Sequence, residues 1–269
     1  MTHSGTETGT ETEPDAQTIA APWHARSMRF PARFLLRLPL ALALAVIAGC
    51  SNCSCGGGDG GGDAPIACGD VEEHGGEATY YDADGSGNCS FDPSPGDLMV
   101  AAMNEADYDG SAVCGQCVAV DGPNGSVTVR IVDRCPGCAE GDLDLSREAF
   151  GRIAALSAGR VPVAWRPVPC DVTGPIRYRF KDGSNPFWVG IQILNHRHAV
   201  RSLEAKLADG TWKSIERLSY NYFVDPSGLG DGPYTLRVTD IHGLVVEDTN
   251  VPLGDATEVA GAAQLPVCR

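Results

Sequence analysis

Positive charge is scarce in this sequence of 269 residues, in which 20 Lys and Arg stand against 35 Asp and Glu. The resulting formal net charge of -15 disfavours binding to nucleic acid and to anionic membranes. It also repels strongly acidic polysaccharides at long range. Helical patterning is scarce as well, because 33 Gly and 18 Pro with only modest charge favour a turn-rich β protein. No internal repeat is visible, so the sequence does not indicate a repeat architecture.

Long apolar runs are also missing, since the run over residues 38–50 is too short for a typical membrane span. Arg29, Arg33 and Arg37 precede this run and small residues end it, which is typical of an export signal. Its last residues, Ile47-Ala48-Gly49-Cys50, resemble a bacterial lipoprotein processing site in which Cys50 becomes lipidated. Secretion without lipidation is the alternative. We therefore expect an exported protein, either a cell-surface lipoprotein or an extracellular one.

The first 66 residues predict three segments ahead of any folded domain. Residues 1–27 are rich in Thr and Glu without an apolar period, so we expect a disordered leader there. An acidic leader is unusual ahead of a signal peptide, and translation from Met28 is therefore one hypothesis. Residues 28–50 are the predicted signal peptide, and residues 51–66 are a Gly-rich linker.

Residues 67–172 are rich in short β-branched runs. Two of them, 118–120 and 127–132, flank the turn signal Asp121-Gly122-Pro123-Asn124-Gly125 and predict a hairpin. Ser146 can cap a short helix that runs through Leu156. One short helix among many strands favours a small closed barrel.

Residues 173–269 change to regular alternation, as in 176–180, 191–193 and 234–238. Asp-Gly turn signals separate these strands, and no helix is convincing. About 95 residues of short strands favour a β-sandwich. We place the domain boundary near 172–173.

Eleven cysteines are many for a cytosolic protein and ordinary for an exported one. Cys114, Cys117, Cys135 and Cys138 form two CxxC pairs, separated by residues 118–134 as in a zinc site. Export favours disulfides instead, and Cys89 and Cys170 offer these thiols other partners. From the residues alone both interpretations stay open. A redox-active pair is disfavoured, because no thioredoxin-like βαβ context surrounds either pair.

Two aspartates are the candidate functional groups. Asp133 ends an apolar strand just before the turn Cys135-Pro136-Gly137-Cys138, and Asp144 precedes the predicted helix. We expect both carboxylates to face one groove, where they could act on a sugar chain. The structural alternative is a turn aspartate and a carboxylate favoured near a helix N-terminus.

Two histidines, His196 and His198, have the i, i+2 spacing that zinc ligands can show on a strand. A structural role in the sandwich is the favoured interpretation. We therefore expect no metal and no cofactor.

The order and spacing of several short motifs over residues 75–260 resemble the bacterial expansin family. The motifs are Gly76-Glu77-Ala78-Thr79-Tyr80, Val132-Asp133, Leu143-Asp144-Leu145-Ser146, Ala149-Phe150, Tyr178-Arg179-Phe180-Lys181-Asp182-Gly183-Ser184, Phe187-Trp188, Ile191-Gln192, Asn195-His196 and Tyr220-Asn221-Tyr222-Phe223. The resemblance implies a mainly β fold: a six-stranded double-psi β-barrel related to family-45 endoglucanases, then an immunoglobulin-like β-sandwich that binds cellulose. It also implies non-hydrolytic loosening of plant-type cell walls.

The resemblance also implies roles for particular residues. The groove residues are Thr79, Tyr80, Asp133 and Asp144, of which Asp144 matches the family's indispensable acid. The cellulose-binding platform is Phe187, Trp188 and Tyr220, flanked by the cation Lys181. The implied disulfides are Cys89–Cys114 and Cys117–Cys170, which leave Cys135–Cys138 and Cys68–Cys268 as further pairs.

The sequence departs from the family pattern in three respects. Cys135 stands where bacterial relatives often have a groove tyrosine, and Phe187 stands where tryptophan is usual. The acidic net charge contrasts with basic relatives, which puts adhesion to walls by charge in doubt.

Three hypotheses for function follow. The first is non-hydrolytic wall loosening, because the resemblance to expansins implies that both acids lie on one side of the groove and that the base of the related hydrolases is missing. The second is a lytic enzyme, either an endoglucanase or a peptidoglycan lytic transglycosylase, since the same barrel hosts both. The third is a carbohydrate-binding surface lipoprotein. We expect cellulose or another wall polysaccharide as partner, peptidoglycan as an alternative, no nucleic acid, membrane contact only through a lipid anchor, and a monomer.

Overall fold

The computed structural model of the chain describes residue 68 and residues 72–268. The predicted leader, signal peptide, lipidation site at Cys50 and Gly-rich linker lie outside these residues. The described chain forms a barrel followed by a sandwich, and the two belong to one compact unit. Its longest described helix has seven residues, far fewer than the roughly 20 that a bilayer span requires.

The barrel contains six strands. They are β1 (His74–Tyr81), β2 (Val100–Asn104), β3 (Cys117–Gly122), β4 (Gly125–Cys135), β5 (Leu143–Ser146) and β6 (Val161–Val168). They close in the order β1-β5-β2-β4-β3-β6, with β1 pairing back onto β6. The β1–β5 and β2–β4 pairs are parallel and the others are antiparallel. The closed barrel predicted from the sequence is therefore confirmed.

The predicted hairpin joins β3 to β4, and its ladder runs to the pair Gly122 and Gly125. The predicted helix also forms, as α2 (Arg147–Ile153), and the hydroxyl of Ser146 caps it by accepting a bond from Ala149 N at 3.0 Å. Phe150 and Ile153 on this helix are fully buried in the barrel core. The helix therefore seals one face of the barrel.

The helix ends at Ile153 and not at the predicted Leu156. The hairpin turn competes for its last carbonyl, because Asn124 N donates to the carbonyl oxygen of Ile153 at 2.9 Å, and Ala154 is extended. A second helix, α1 (Glu105–Tyr108), was not predicted. Its four residues are too few to show a helical period in the sequence.

The second domain contains eight strands in antiparallel order. They are β7 (Arg177–Phe180), β8 (Val189–Leu194), β9 (Val200–Lys206), β10 (Trp212–Arg217), β11 (Phe223–Asp225), β12 (Tyr234–Asp240), β13 (Val245–Val251) and β14 (Glu258–Ala260). Their order is β13-β12-β9-β10-β11-β8-β7-β14. The boundary that we place near 172–173 lies in the connection between β6 and β7.

Strand β10 makes this sheet fold over into two layers. Its first part, from Trp212 to Ile215, pairs with β9, whereas Glu216 and Arg217 pair with β11. Side chains from both halves, such as Phe223 on β11 and Leu236 on β12, share one buried core. The predicted β-sandwich is thus present.

A loop of the barrel, residues 88–92, packs against the sandwich. The side-chain amides of Gln192 and Asn221 both donate to the carbonyl oxygen of Cys89, at 2.8 and 3.1 Å, and both amide side chains are buried. A disulfide to Cys114 ties Cys89 to the rest of the barrel. Because buried polar groups cost free energy unless they are paired, these bonds specify one orientation of the two domains.

Four disulfides connect the eight described cysteines. The pairs are Cys68–Cys268, Cys89–Cys114, Cys117–Cys170 and Cys135–Cys138, the same pairs that the family resemblance implies or leaves over. The four CxxC cysteines therefore belong to three separate disulfides, and the zinc interpretation of their spacing is wrong. Disulfides, and not zinc-bound thiolates, therefore occupy the four CxxC positions.

The Cys68–Cys268 disulfide spans 200 residues, whereas Cys135–Cys138 spans three. Closing a longer loop removes more entropy from the unfolded chain, so the double variant Cys68→Ala/Cys268→Ala should lose roughly 4 kcal/mol of unfolding free energy. The matched variant Cys135→Ala/Cys138→Ala should lose roughly 2 kcal/mol or less. Guanidinium denaturation without reductant measures both, and an equal loss in the two variants would contradict the entropic account.

Candidate functional site

Four residues on neighbouring strands form a row across one face of the barrel. Thr79 on β1 lies opposite Asp144 on β5. Ala102 on β2 lies between the acids, opposite Asp144 on one side and opposite Asp133 on β4 on the other. Residues directly opposite on paired strands project to the same face, so the three polar side chains share one surface. With strands about 4.8 Å apart, the Cα atoms of the two acids lie roughly 10 Å apart.

Asp144 is held by Thr79 and is half-buried. The hydroxyl of Thr79 donates to Asp144 Oδ1 at 2.7 Å. Burial raises the pKa of Asp144, the Thr79 hydrogen bond opposes that rise, and the negative charge of Asp133 adds to it. The raised pKa favours the protonated form of this acid more than in water, which suits a group that exchanges protons or hydrogen bonds with a neutral sugar.

Asp133 has a partly structural role. Its Oδ1 accepts bonds from the backbone nitrogens of Asn88, at 2.6 Å, and Arg134, at 2.8 Å. Among the described residues its Oδ2 takes no hydrogen bond, and the side chain is half-exposed. The carboxylate therefore anchors the 88–92 loop with one oxygen and faces the groove with the other.

The tyrosine that faces this groove is Tyr81 and not the predicted Tyr80. On β1, Tyr80 points with Ala78 to the core face, where its ring packs 5.0 Å from that of Phe150. Tyr81 follows Thr79 by two residues and shares its face. Burial raises the pKa of Tyr81, and the charges of Asp133 and Asp144 raise it further. Strand alternation counted from Thr79 was the signal that would have identified it.

The Cys135–Cys138 disulfide borders the same groove. It closes the turn that follows Asp133, and Cys138 N donates to the carbonyl oxygen of Cys135 at 3.2 Å. Arg134, the residue before this turn, pairs with Glu105 on α1 at 3.3 Å. The groove wall at this end is thus held by a covalent bond and an ion pair.

On the sandwich, Phe187 and Trp188 lie in an irregular segment ahead of β8. Asn185 and Trp188 exchange two backbone hydrogen bonds, of 2.7 and 3.2 Å, so Phe187 lies in the tight turn between them. Phe187 is 80% exposed and Trp188 is half-buried. A methyl group at Gly190 would meet both the Trp188 ring and Lys181 at 3.1 Å, so the indole lies over this glycine beside the lysine.

Lys181 connects this aromatic pair to two tyrosines. Its Nζ lies 5.9 Å from the ring centre of Tyr220 and 5.3 Å from that of Tyr222, and the two rings are 5.9 Å apart. Tyr220 is half-exposed, whereas Tyr222 is mostly covered. We define the platform as Phe187, Trp188, Lys181, Tyr220 and Tyr222. The sequence prediction did not include Tyr222 in the platform; both tyrosines lie in the connection between β10 and β11, where strand alternation gives no guide to which way a side chain faces.

Asn88 links the groove to the platform. Its backbone nitrogen donates to Asp133, and its side-chain amide donates to the carbonyl oxygen of Ser219 at 2.8 Å. Ser90, in the same loop, makes a second bond to this segment: its Oγ donates to the carbonyl oxygen of Tyr220 at 2.9 Å. The segment that carries Tyr220 is therefore bonded to the same loop that Asp133 anchors.

The histidines have structural roles. His196 is buried and its Nδ1 lies 2.8 Å from the carbonyl oxygen of His198. Burial lowers the pKa of His196 to about 4, so it is neutral at physiological pH. Near His198, side-chain atoms of Cys68, His242 and Cys268 lie within 4.8 Å of one another. Both of these cysteines are in a disulfide, so neither offers a thiolate to a metal.

Comparison with known families and proteins covers both domains. The family model described as lytic transglycolase, a double-psi β-barrel family, matches residues 73–165. Expansin-YoaJ of Bacillus subtilis is 39% identical over 203 residues, which are 72% of this chain and 87% of that protein. Expansin-like protein 1 of Dictyostelium discoideum is 31% identical over 182 residues, covering 63% of each chain.

Solved structures of an expansin also match this chain. The apo crystal structure of the Clavibacter michiganensis expansin superposes with a TM-score of 0.67 at 33% identity, covering 72% of this chain and 98% of that one. A mutant of that expansin was crystallised in complex with cellohexaose and matches with the same score and coverage. The predicted double-psi barrel and its following sandwich are thus the fold of known expansins.

The raised pKa of Asp144 predicts a pH dependence of stability. An unfolded Asp, with a pKa of about 3.9, releases its proton before the folded Asp144 does as pH rises. The unfolded state then binds fewer protons than the folded state, so Asp144 lowers stability progressively from about pH 4 upward. Urea denaturation from pH 4 to 7 should show Asp144→Asn losing less stability than the wild type over this range.

The control is Glu216→Gln, which neutralises an exposed acid on β10. This variant shows how much of any change in slope comes from removing one negative charge at an unrelated position. A wild type that gains stability relative to Asp144→Asn as pH rises would contradict the raised pKa.

Proposed function

This chain belongs to the expansin family, and from that membership we propose that it binds glucan chains of cell walls and loosens their packing without hydrolysing them. A relative at 33% identity was crystallised with cellohexaose, which supports a β-glucan as the ligand class. Both domains contribute to binding in this proposal: the barrel through its acidic groove and the sandwich through its aromatic platform.

The joint at Asn88 is the observation that carries the proposal. One residue bonds the groove acid Asp133 and the segment that presents Tyr220. A polymer lying along the protein can therefore meet polar groups in the groove and aromatic rings on the platform at fixed relative positions. When the groove holds one part of a polymer, the rest of the polymer stays near the platform. Its effective concentration at the platform is therefore raised, and the same holds in the other direction.

In the groove, hydrogen bonding gives a physical route to loosening. The Thr79–Asp144 pair is half-buried, and the free oxygen of Asp133 lies in the same row. Sugar hydroxyls that bond these groups give up bonds to neighbouring glucan chains. Wall polysaccharides held by many such bonds would slip locally, with no covalent bond broken.

The positions of the acids favour binding over cleavage. Glycoside hydrolysis usually places one carboxyl group at the leaving oxygen and a second where it can act as base or nucleophile on the sugar. Here both acids lie in one row on one face, and one oxygen of Asp133 is occupied by two backbone amides. We infer that Asp133 holds the loop and binds sugar, and that Asp144 has no catalytic partner.

A lytic activity is the second candidate, and two observations favour it. The family model that matches the barrel is described as lytic transglycolase, and the pKa of Asp144 is raised as a general acid requires. Release of reducing or anhydro sugars from cellulose, xylan or peptidoglycan would identify this activity. A carbohydrate-binding surface lipoprotein that neither cleaves nor loosens is the third.

Export fits all three candidates, because the polysaccharides of cell walls lie outside the membrane. We propose a protein that acts at or beyond the cell surface, tethered through lipidated Cys50 or released. Labelling of the expressed protein with a fatty-acid analogue, lost in Cys50→Ala, distinguishes the tethered form from the released one.

Asp144→Asn should abolish creep of cell-wall strips under constant load while leaving binding to cellulose within about twofold of the wild type. The asparagine amide keeps the shape of the side chain. It cannot release a proton, and it has no negative charge to attract the hydroxyls of Thr79 and the sugar. Creep and a cellulose pull-down are measured on the same preparation, with product analysis for released sugar. Unchanged creep would remove Asp144 from the mechanism.

Trp188→Ala should weaken binding to cellulose about fivefold to tenfold, because it removes a ring that stacks on glucose units. The matched control is Trp212→Ala, a tryptophan on β10 that lies between the cations of Lys206 and Arg237, outside the platform. Pull-down isotherms on crystalline cellulose measure both. Equal losses in the two variants would show that Trp188 acts through stability and not through stacking.

A further inference from the structure

A cleft of about 870 Å³ separates the barrel from the sandwich, apart from the groove and the platform. The 88–92 loop borders it, since Phe91 and Asp92 line its wall, whereas Asn88 at the other end of the loop contacts the groove acid. Its volume falls in the range of small-ligand sites, about 300 to 1,000 Å³. It can therefore admit about two sugar rings.

Three arginines line this cleft, and two of them are already paired. Arg177 forms an ion pair with Glu258, and Arg179 bonds both Glu258 and Asp92, at 2.6 Å in each case. These two guanidinium groups are neutralised by protein carboxylates. Through Asp92, Arg179 also holds the sandwich against the 88–92 loop.

The third, Arg130 on β4, is different. Among the described residues its guanidinium makes no hydrogen bond and no ion pair; it lies 5.2 Å over the ring of Phe91. Asp97 acts on it electrostatically but forms no ion pair with it. Burial lowers the pKa of Arg130, because leaving water disfavours its charged form. A half-buried cation without a carboxylate partner is costly, which indicates that a ligand supplies the partner.

We propose that this cleft binds a carboxylate-bearing sugar, a uronic acid residue of a wall polysaccharide, whose carboxylate pairs with Arg130. The planar guanidinium offers parallel donors that match a carboxylate in a two-point contact. Thr128, two residues earlier on the same face of β4, lines the cleft and offers a hydroxyl beside it.

The charges of the cleft favour a sugar acid over a phosphate. Asp97 and Asp171 also line the cleft and would repel a doubly charged anion, but their oxygens can accept bonds from sugar hydroxyls. The net charge of -15 likewise disfavours a fully acidic polymer. A neutral polysaccharide with occasional uronic acid residues satisfies both conditions. The site is additional to the proposed glucan groove and does not depend on it.

The test is calorimetric titration of the full-length protein with two ligands, xylotriose carrying one glucuronic acid and neutral xylotetraose. The wild type should bind the acidic ligand at least about tenfold more tightly at low salt. Arg130→Gln should lose this preference, and Arg130→Lys should keep only part of it because lysine lacks the two-point contact. Arg166→Gln, which removes an exposed arginine paired with Asp121 on the barrel, should keep it.

Two further arms keep the proposal open to refutation if Arg130→Gln fails to fold. Reducing the ligand's carboxyl group to an alcohol should abolish the preference of the wild type. Trp188→Ala, which removes a ring of the platform, should still bind the acidic ligand more tightly than the neutral one, which separates this site from the glucan platform. Equal binding of the acidic and neutral ligands by the wild type, or competition by acetate as strong as by glucuronate, would overturn the proposal.

Discussion

The structure depends on one short stretch of the barrel, the 88–92 loop, and on the hydrogen bonds of Asn88 in particular. The backbone nitrogen of Asn88 donates to the carboxylate of Asp133 in the groove. Its side-chain amide donates to the carbonyl oxygen of Ser219, in the connection between β10 and β11 of the sandwich. Buried amides from Gln192 and Asn221 complete the joint at the carbonyl of Cys89. Hydrogen bonds are directional, and breaking either bond to the carbonyl of Cys89 would leave a buried amide unpaired, so the two domains keep one orientation.

The groove shows a balance between burial and hydrogen bonding. Four adjacent strands bring Thr79, Asp144 and Asp133 into one row with a small alanine between the acids. Burial works against charge on Asp144, and the Thr79 hydroxyl works for it. The net effect is a raised pKa, so Asp144 is protonated more easily than an aspartate in water. Asp133 differs from Asp144 in its hydrogen bonds, because one of its carboxylate oxygens accepts bonds from two backbone amides.

Much of this was readable in the sequence because it depends on near neighbours. Alternation predicted the strands, Asp121 to Gly125 predicted a hairpin, and Ser146 predicted a helix start, all from contacts within a few residues. The order of the expansin motifs predicted both domains, Asp133, Asp144 and the aromatic residues of the platform. Helix α1 was missed because four residues carry no period, and Tyr80 was chosen over Tyr81 because the phase of alternation was not followed from Thr79.

The sequence by itself determined the β character, the two-domain order, the candidate acids and, through the family, the cysteine pairs. It could not decide which atoms meet across long separations. The contact of Asn88 with Ser219, the row through Ala102 and the approach of Arg130 to Phe91 arise only when the chain brings distant segments together. Which side chains become neighbours across a closed barrel or a domain interface depends on how distant segments of the chain pair. Local periodicity predicts the strands themselves but not which strands pair or in what register.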